Sequence, residues 1–249
     1  MKPRDMIEMR LVDALKVEAC PFCILSDTDE RRYISHILTD EVVMNADYRD
    51  MILERGGFCN RHYHLLLESR ASAGTGSLGL DIYLKDLMSE TAQNLKDALS
   101  TARRSGRRGG VRGRKHGTGS AVVSIDTSVL SGKCPICSNL IQAERRDEDA
   151  MLRLFVEYGR EAASTAGRKM CVPHLLSFIQ RAAAERAPDS VICEVLEEAL
   201  ESVTMLEKKL VSRIDRYSWN RRDTPLTADE TRVAADAVMK LAGRKGLHL

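Results

Sequence analysis

The sequence predicts an all-α fold: two tandem, pseudo-repeated helical modules, each clipped by a Cys3His metal site. Residues 1–102 form the first module, 103–131 a basic Gly-rich linker, and 132–249 the second module with its C-terminal helices. Three observations lead there. Apolar residues recur at helical spacing along most of the chain. Strand-like composition is confined to 121–125, and one isolated strand is not a sheet. Finally, the signals Cys20-Pro21-Phe22-Cys23 and Cys59-Asn60-Arg61-His62 return as Cys134-Pro135-Ile136-Cys137 and Cys171-Val172-Pro173-His174. Cys59 lies 39 residues after Cys20, and Cys171 lies 37 after Cys134. Glu30-Arg31-Arg32 and Glu144-Arg145-Arg146 each begin 10 residues after the first cysteine of their copy.

In the first module, Ile7, Leu11, Ala14 and Leu15 stand at i, i+4, i+7 and i+8, predicting a helix over 5–19. Pro21 suits the first turn of a new helix, where its missing N–H costs nothing. Cys20 then falls at the N-cap and Cys23 at the third helical position, both near the positive end of the helix dipole, which favours thiolates. Ile24, Leu25, Tyr33, Ile34, Ile37, Leu38 and Val42 carry this helix to residue 44, and a short helix over 48–54 ends at Gly56-Gly57. Cys59 and His62 are three apart, on one helical face, within reach of one ion. His64 faces elsewhere. A polar loop is expected at 71–77, then a helix over 78–101 with Leu80, Ile82, Tyr83, Leu87, Leu95 and Leu99 as its apolar stripe.

The second module opens with a helix from Cys134 through Tyr158, loosened by the small residues of 162–167. Pro173 fits the first turn of a helix over 172–184, on which Cys171 and His174 share a face. A long helix runs from the cap at 187–190 to residue 217, its buried stripe being Val195, Leu196, Leu200, Val203, Leu206, Leu210 and Ile214. The last helix spans 228–241, with Thr227 as N-cap, Asp229 and Glu230 in its first turn and Gly243 as its stop. Trp219 is expected to pack the last two helices together.

Composition agrees with this picture. Hydrophobic residues make up 43%, enough for a packed core, but aromatics only 4%, so that core is aliphatic with Met as filler. Charged residues at 30% suit long amphipathic helices. The net charge of +2 conceals a strip at 103–115 that holds seven basic residues and no acid. No stretch approaches the roughly 18 apolar residues of a membrane span, and the charged start lacks the apolar run of a secretory signal. The expected compartment is a reducing cytoplasm, where Cys-x-x-Cys pairs bind metal or do redox chemistry more often than they form structural disulfides. Cys193, outside the repeat, is expected to be a small buried hydrophobe.

Three sulfurs and one imidazole satisfy a zinc ion without leaving an open position. Cys20, Cys23, Cys59 and His62 are therefore expected to hold one zinc, and Cys134, Cys137, Cys171 and His174 a second. Each ion would close a helical hairpin and contribute on the order of 10 kcal/mol of apparent folding free energy. The alternatives on the same residues are an iron–sulfur cluster or a thiol redox centre. A redox Cys-x-x-Cys usually follows a strand, and none precedes either motif. Glu30 and Glu144, with their arginines, are read first as charge on a solvated face. The other reading makes each carboxylate the acceptor for a ligand histidine's second N–H. In the basic strip, Arg103, Arg104, Arg107, Arg108, Arg112, Arg114 and Lys115 can neutralise phosphates of RNA or DNA, though no interleaved aromatics stack bases. A flexible linker is the other reading.

These motifs resemble an uncharacterised prokaryotic family, a domain of unknown function. In it a CPxC knuckle, a Glu/Arg-rich helix and a Gly-x-Cys-x-x-His signal are followed by a similar second set. Here the sets read CPFC, ERRY, GGFCNRH and CPIC, ERRD, KMCVPH, and the stretch from Asp215 through Trp219 to Gly243 resembles that family's closing segment. The resemblance implies metal-binding helical modules and names no substrate. No Ser/His/Asp constellation, phosphate loop or paired-carboxylate cleft is recognisable. The expected function is a non-enzymatic interaction or adaptor module with protein partners.

Overall fold

In the computed structural model, residues 1–72, 78–108, 134–215 and 227–245 are described. They contain eleven helices and no strand. In chain order these are α1 (Met6–Leu15), α2 (Pro21–Ile37), α3 (Asp40–Met44), α4 (Ala46–Glu54), α5 (Asn60–Ser72), α6 (Leu78–Arg108), α7 (Pro135–Tyr158), α8 (Arg160–Lys169), α9 (Val172–Ala184), α10 (Asp189–Asp215) and α11 (Ala228–Ala242). The all-α expectation holds. None of the described helices is long and apolar enough to cross a membrane.

Local chemistry sets several helix ends. Asp5 caps α1 by accepting from the Glu8 N–H, and Asn45 caps α4 by accepting from the Tyr48 N–H. Thr227 and Glu230 form a reciprocal capping box at the start of α11, and Gly243 ends it. The α2 helix stops at Ile37, and Thr39 starts α3, so the continuous helix expected to residue 44 is two helices.

The chain divides into two compact units, residues 1–30 with 140–249 and residues 31–139. In the first unit, α8 packs on α10 and α1, and α11 packs on α10 and α9. One core joins Leu11 and Leu15 of α1, Phe22 and Leu25 of α2, Met151, Leu154 and Phe155 of α7, Phe178 of α9 and Val195 of α10. In the second unit, α6 packs on α3, α4 and α5. Phe58 meets Tyr63 and Tyr83 edge to face, and the Tyr83 hydroxyl donates to the Ile37 carbonyl at 3.2 Å.

Five local expectations are corrected. Residues 162–167 do not loosen a helix; they are the buried face of α8, with Ala162, Ala163, Ala166 and Gly167 all buried. Alanine is the best helix former, and this small-residue face lets α10 come close. A Cβ on Gly167 would lie only 2.7 Å from the Val195 carbonyl oxygen. That close packing selects Val191, Val195 and Ala199 as the buried stripe of α10, leaving Leu196, Leu200, Val203 and Ile214 exposed. Cys193 follows the same rotation and is exposed. On α6, Leu80 and Tyr83 are buried but Leu95 and Leu99 are exposed. The helix also continues through Arg108, past the expected end at 101, because arginine is a good helix former.

Candidate metal centres

Four helices begin in the same way. The carbonyls of Cys20, Cys59, Cys134 and Cys171 accept from the amides of Ile24, Tyr63, Ser138 and Leu175, at 3.2, 3.0, 3.0 and 2.9 Å. Each of these cysteines is thus an N-cap, and Cys23, His62, Cys137 and His174 occupy the third helical position after them. Donor pairs at N-cap and N3 lie together at the positive end of a helix, where a thiolate is favoured.

The way the pairs combine overturns the tandem arrangement. Cys20 and Cys23 lie not with Cys59 and His62 but with Cys171 and His174; Cys59 and His62 lie with Cys134 and Cys137. Each knuckle from one half of the sequence meets the Cys-x-x-His pair of the other. Both groups remain internal to a unit, the first within 1–30 with 140–249 and the second within 31–139.

In the first centre the His174 Nδ1 faces the sulfurs of Cys171, Cys20 and Cys23 at 3.0, 3.5 and 3.5 Å. The Cys23 and Cys171 sulfurs are 3.8 Å apart, and all four residues are buried. In the second, the His62 Nδ1 faces Cys59, Cys134 and Cys137 at 3.1, 3.3 and 3.3 Å, and the Cys59 and Cys137 sulfurs are 3.7 Å apart. Here His62 and Cys134 are buried, but Cys59 and Cys137 are only half-buried. Within each centre the four donor atoms all lie within 4.8 Å of one another, so each group can hold a metal ion.

The electrostatics of each group favour a central cation. Burial opposes ionisation of Cys20, yet hydrogen bonds from Cys171, Cys23 and His174 hold its thiol well below the ordinary range. Hydrogen bonds to Cys20 and Cys23, together with burial, push Cys171 up in turn. In the second group, Cys134 falls to about 6 against burial, helped by His62 and by the Cys137 and Cys59 amides. Burial and the neighbouring sulfurs push Cys137 up. One thiolate thus forbids the next, a conflict that a bound dication relieves.

Around the first centre, α7 and α9 are joined by polar rungs. His174 Nε2 stands 3.0 Å from Glu144 Oε1, the Ser177 hydroxyl donates to Glu148 at 2.6 Å, and Arg181 donates to Asp149 at 2.8 Å. Glu144 thus faces the far side of the imidazole whose Nδ1 points at the sulfurs, which corrects the reading of Glu144 as solvated charge, while Arg145 and Arg146 are exposed. Glu30 is buried as well. Sequence reasoning missed Lys240. It is buried on α11 and donates to the Arg168 carbonyl at 2.8 Å, at the end of α8 just before the Cys171 turn. Burial lowers its pKa while Cys20 and Cys171 raise it, which places its charge near those sulfurs. No pattern in the sequence marks it.

The turns into the two Cys-x-x-His pairs differ. Gly56 and Gly57 are left-handed, with φ 74° and 90°, and their amides close back on Leu53 and Ile52. At the corresponding places in the second set, Arg168 and Lys169 are the last residues of α8 and neither is left-handed. That turn therefore needs no glycine.

Of the basic strip, Arg103, Arg104, Arg107 and Arg108 fall on the last turns of α6; Arg112, Arg114 and Lys115 lie outside the described residues, as does Trp219. No curated protein and no solved structure matches this chain. Residues 1–244 match a family of unknown function, DUF6062, and the chain belongs to that family.

Proposed function

We propose that this chain is a zinc-binding helical protein with two centres per chain, acting as a non-enzymatic interaction or adaptor module. The observation that carries the metal reading is the sulfur spacing. With Zn–S near 2.3 Å and Zn–N near 2.05 Å, a regular tetrahedron has S···S edges of about 3.8 Å and S···N edges of about 3.6 Å. The sulfur pairs stand at 3.8 and 3.7 Å. Donors this close suit a single ion better than a multinuclear iron–sulfur cluster, which spreads its ligands wider. Cys20, Cys23, Cys171 and His174 would hold one ion, and Cys59, His62, Cys134 and Cys137 the other. A bound zinc supplies a fixed positive charge and a cross-link, and no substrate position remains among four protein ligands.

Elemental analysis of protein purified without added metal tests this reading. About two zinc per chain with no visible absorption supports it; iron with charge-transfer bands overturns it in favour of the cluster. The adaptor role is supported by the exposed apolar stripe of α10, Leu196, Leu200, Val203 and Ile214. Replacing Leu200 and Ile214 with Glu should leave metal content unchanged and abolish partner binding. Retained binding would remove α10 from the interface.

A second reading, RNA or DNA binding, is favoured by the helical placement of Arg103, Arg104, Arg107 and Arg108 at i, i+1, i+4 and i+5. Deleting 103–115 should then abolish salt-sensitive binding to RNA.

A further inference from the structure

The two centres have similar sulfur spacing but unequal access. In the first, the close pair is sealed: Cys23 is 0% exposed and Cys171 1%. In the second, the close pair is formed by Cys59 and Cys137, the two half-buried ligands, at 3.7 Å. Cys134 and His62, the other two donors, are enclosed at 1% and 0%. The two least enclosed cysteines of either group are thus also a pair poised beside one another.

We propose that the second centre is an oxidation-sensitive site, at which a hydroperoxide joins Cys59 to Cys137 as a disulfide and the bound ion leaves. The inference rests on the metal-binding reading above. The sulfur of one thiolate attacks the near oxygen of the peroxide; the O–O bond breaks, and the far oxygen departs with the electron pair and takes up a proton. The sulfenic acid so formed is attacked at sulfur by the second thiolate, which forms the S–S bond and expels the hydroxyl oxygen as water after a second protonation. Two thiolates, one hydrogen peroxide and two protons give one disulfide and two waters. The two electrons lost by sulfur end on the peroxide oxygens. An ion left with Cys134 and His62 alone is weakly held. A dithiol reverses the step by exchange, and the ion can return. The first centre undergoes the same chemistry only when its unit opens, so it stays loaded under the same exposure.

The test uses the full-length zinc-loaded chain with Cys193→Ser, because Cys193 is itself exposed. Metal content before oxidation separates the two claims, since a chain without metal overturns both readings. With about two ions bound, hydrogen peroxide is added beside a chromogenic zinc chelator. The expected result is release of about one ion per chain, at least about tenfold faster than the other, with a Cys59–Cys137 disulfide found by non-reducing peptide mapping. Dithiothreitol and zinc should restore the second ion. Release of both ions at one rate, a first disulfide among Cys20, Cys23 and Cys171, or no release under excess peroxide would each overturn the proposal while leaving the metal reading intact.

Discussion

Cys23 and Cys171 are 148 residues apart in sequence and hold their sulfurs 3.8 Å apart in the fold. This crosswise relationship is separable from the tandem alternative by metal counting. A Cys20→Ala/Cys171→Ala variant damages one centre and should keep about one ion per chain. A Cys20→Ala/Cys59→Ala variant damages both and should keep about none. Tandem pairing reverses the two outcomes, and elemental analysis of the purified variants decides between them.

Glu144 bears on the first centre through the far nitrogen of His174. Glu144→Gln should weaken metal binding there by about 10–100-fold and leave the second centre unchanged. Competition with a graded chelator reads this as one weakened ion out of two. Equal weakening at both centres, or none at either, would mean that the carboxylate does not set the imidazole.

Two glycines answer to different constraints. Gly57 is left-handed, and a Cβ there would sit 2.2 Å from the Tyr63 hydroxyl. Gly167 is helical but faces the Val195 carbonyl at 2.7 Å, backbone that cannot step aside. Gly57→Ala and Gly167→Ala should each lower stability by about 1–3 kcal/mol in urea unfolding. The Gly167 variant should loosen α8 from α10, visible as faster amide exchange in α8.

Asp147 gives a pH dependence. Burial raises its carboxyl to about 7, with Arg10 and Arg146 opposing and Asp29 and Glu144 adding to the rise. The folded chain therefore holds this proton more tightly than the unfolded chain, whose carboxyl titrates near 3.8. The protonated group is accommodated without penalty below about pH 4, and stability is lost as pH rises from there to about 7. Asp147→Asn should remove this slope and stabilise the chain above pH 7 by about 2–4 kcal/mol. Urea midpoints across that range are the measurement. A parent and a variant with parallel profiles would show that Asp147 is ionised without cost.

The eight residues that the structure gathers were legible because their pattern is local. A cysteine before the first helical turn and a second donor three positions later need only one helix start. The pairing was not legible, because tandem and crosswise assignments use identical spacings. Which pair meets which knuckle is decided by packing between elements far apart in sequence. The role of Glu144 was visible as a recurrence, but the direction its side chain takes depends on α9 lying beside α7. The same limit misplaced Cys193 and the α10 stripe. Several apolar faces wind round that helix, and only the small-residue face of α8 determines which one is buried.

The exchange of partners between the two halves also bears on how the molecule is made. Cys20, Cys23, Cys59 and His62 emerge from the ribosome first, four competent donors that belong to two different groups. Neither group is complete until residue 137 or residue 174 has been translated. An ion captured early would bridge the wrong pairs, so correct loading would fall to a late stage of biosynthesis, after most of the polypeptide exists.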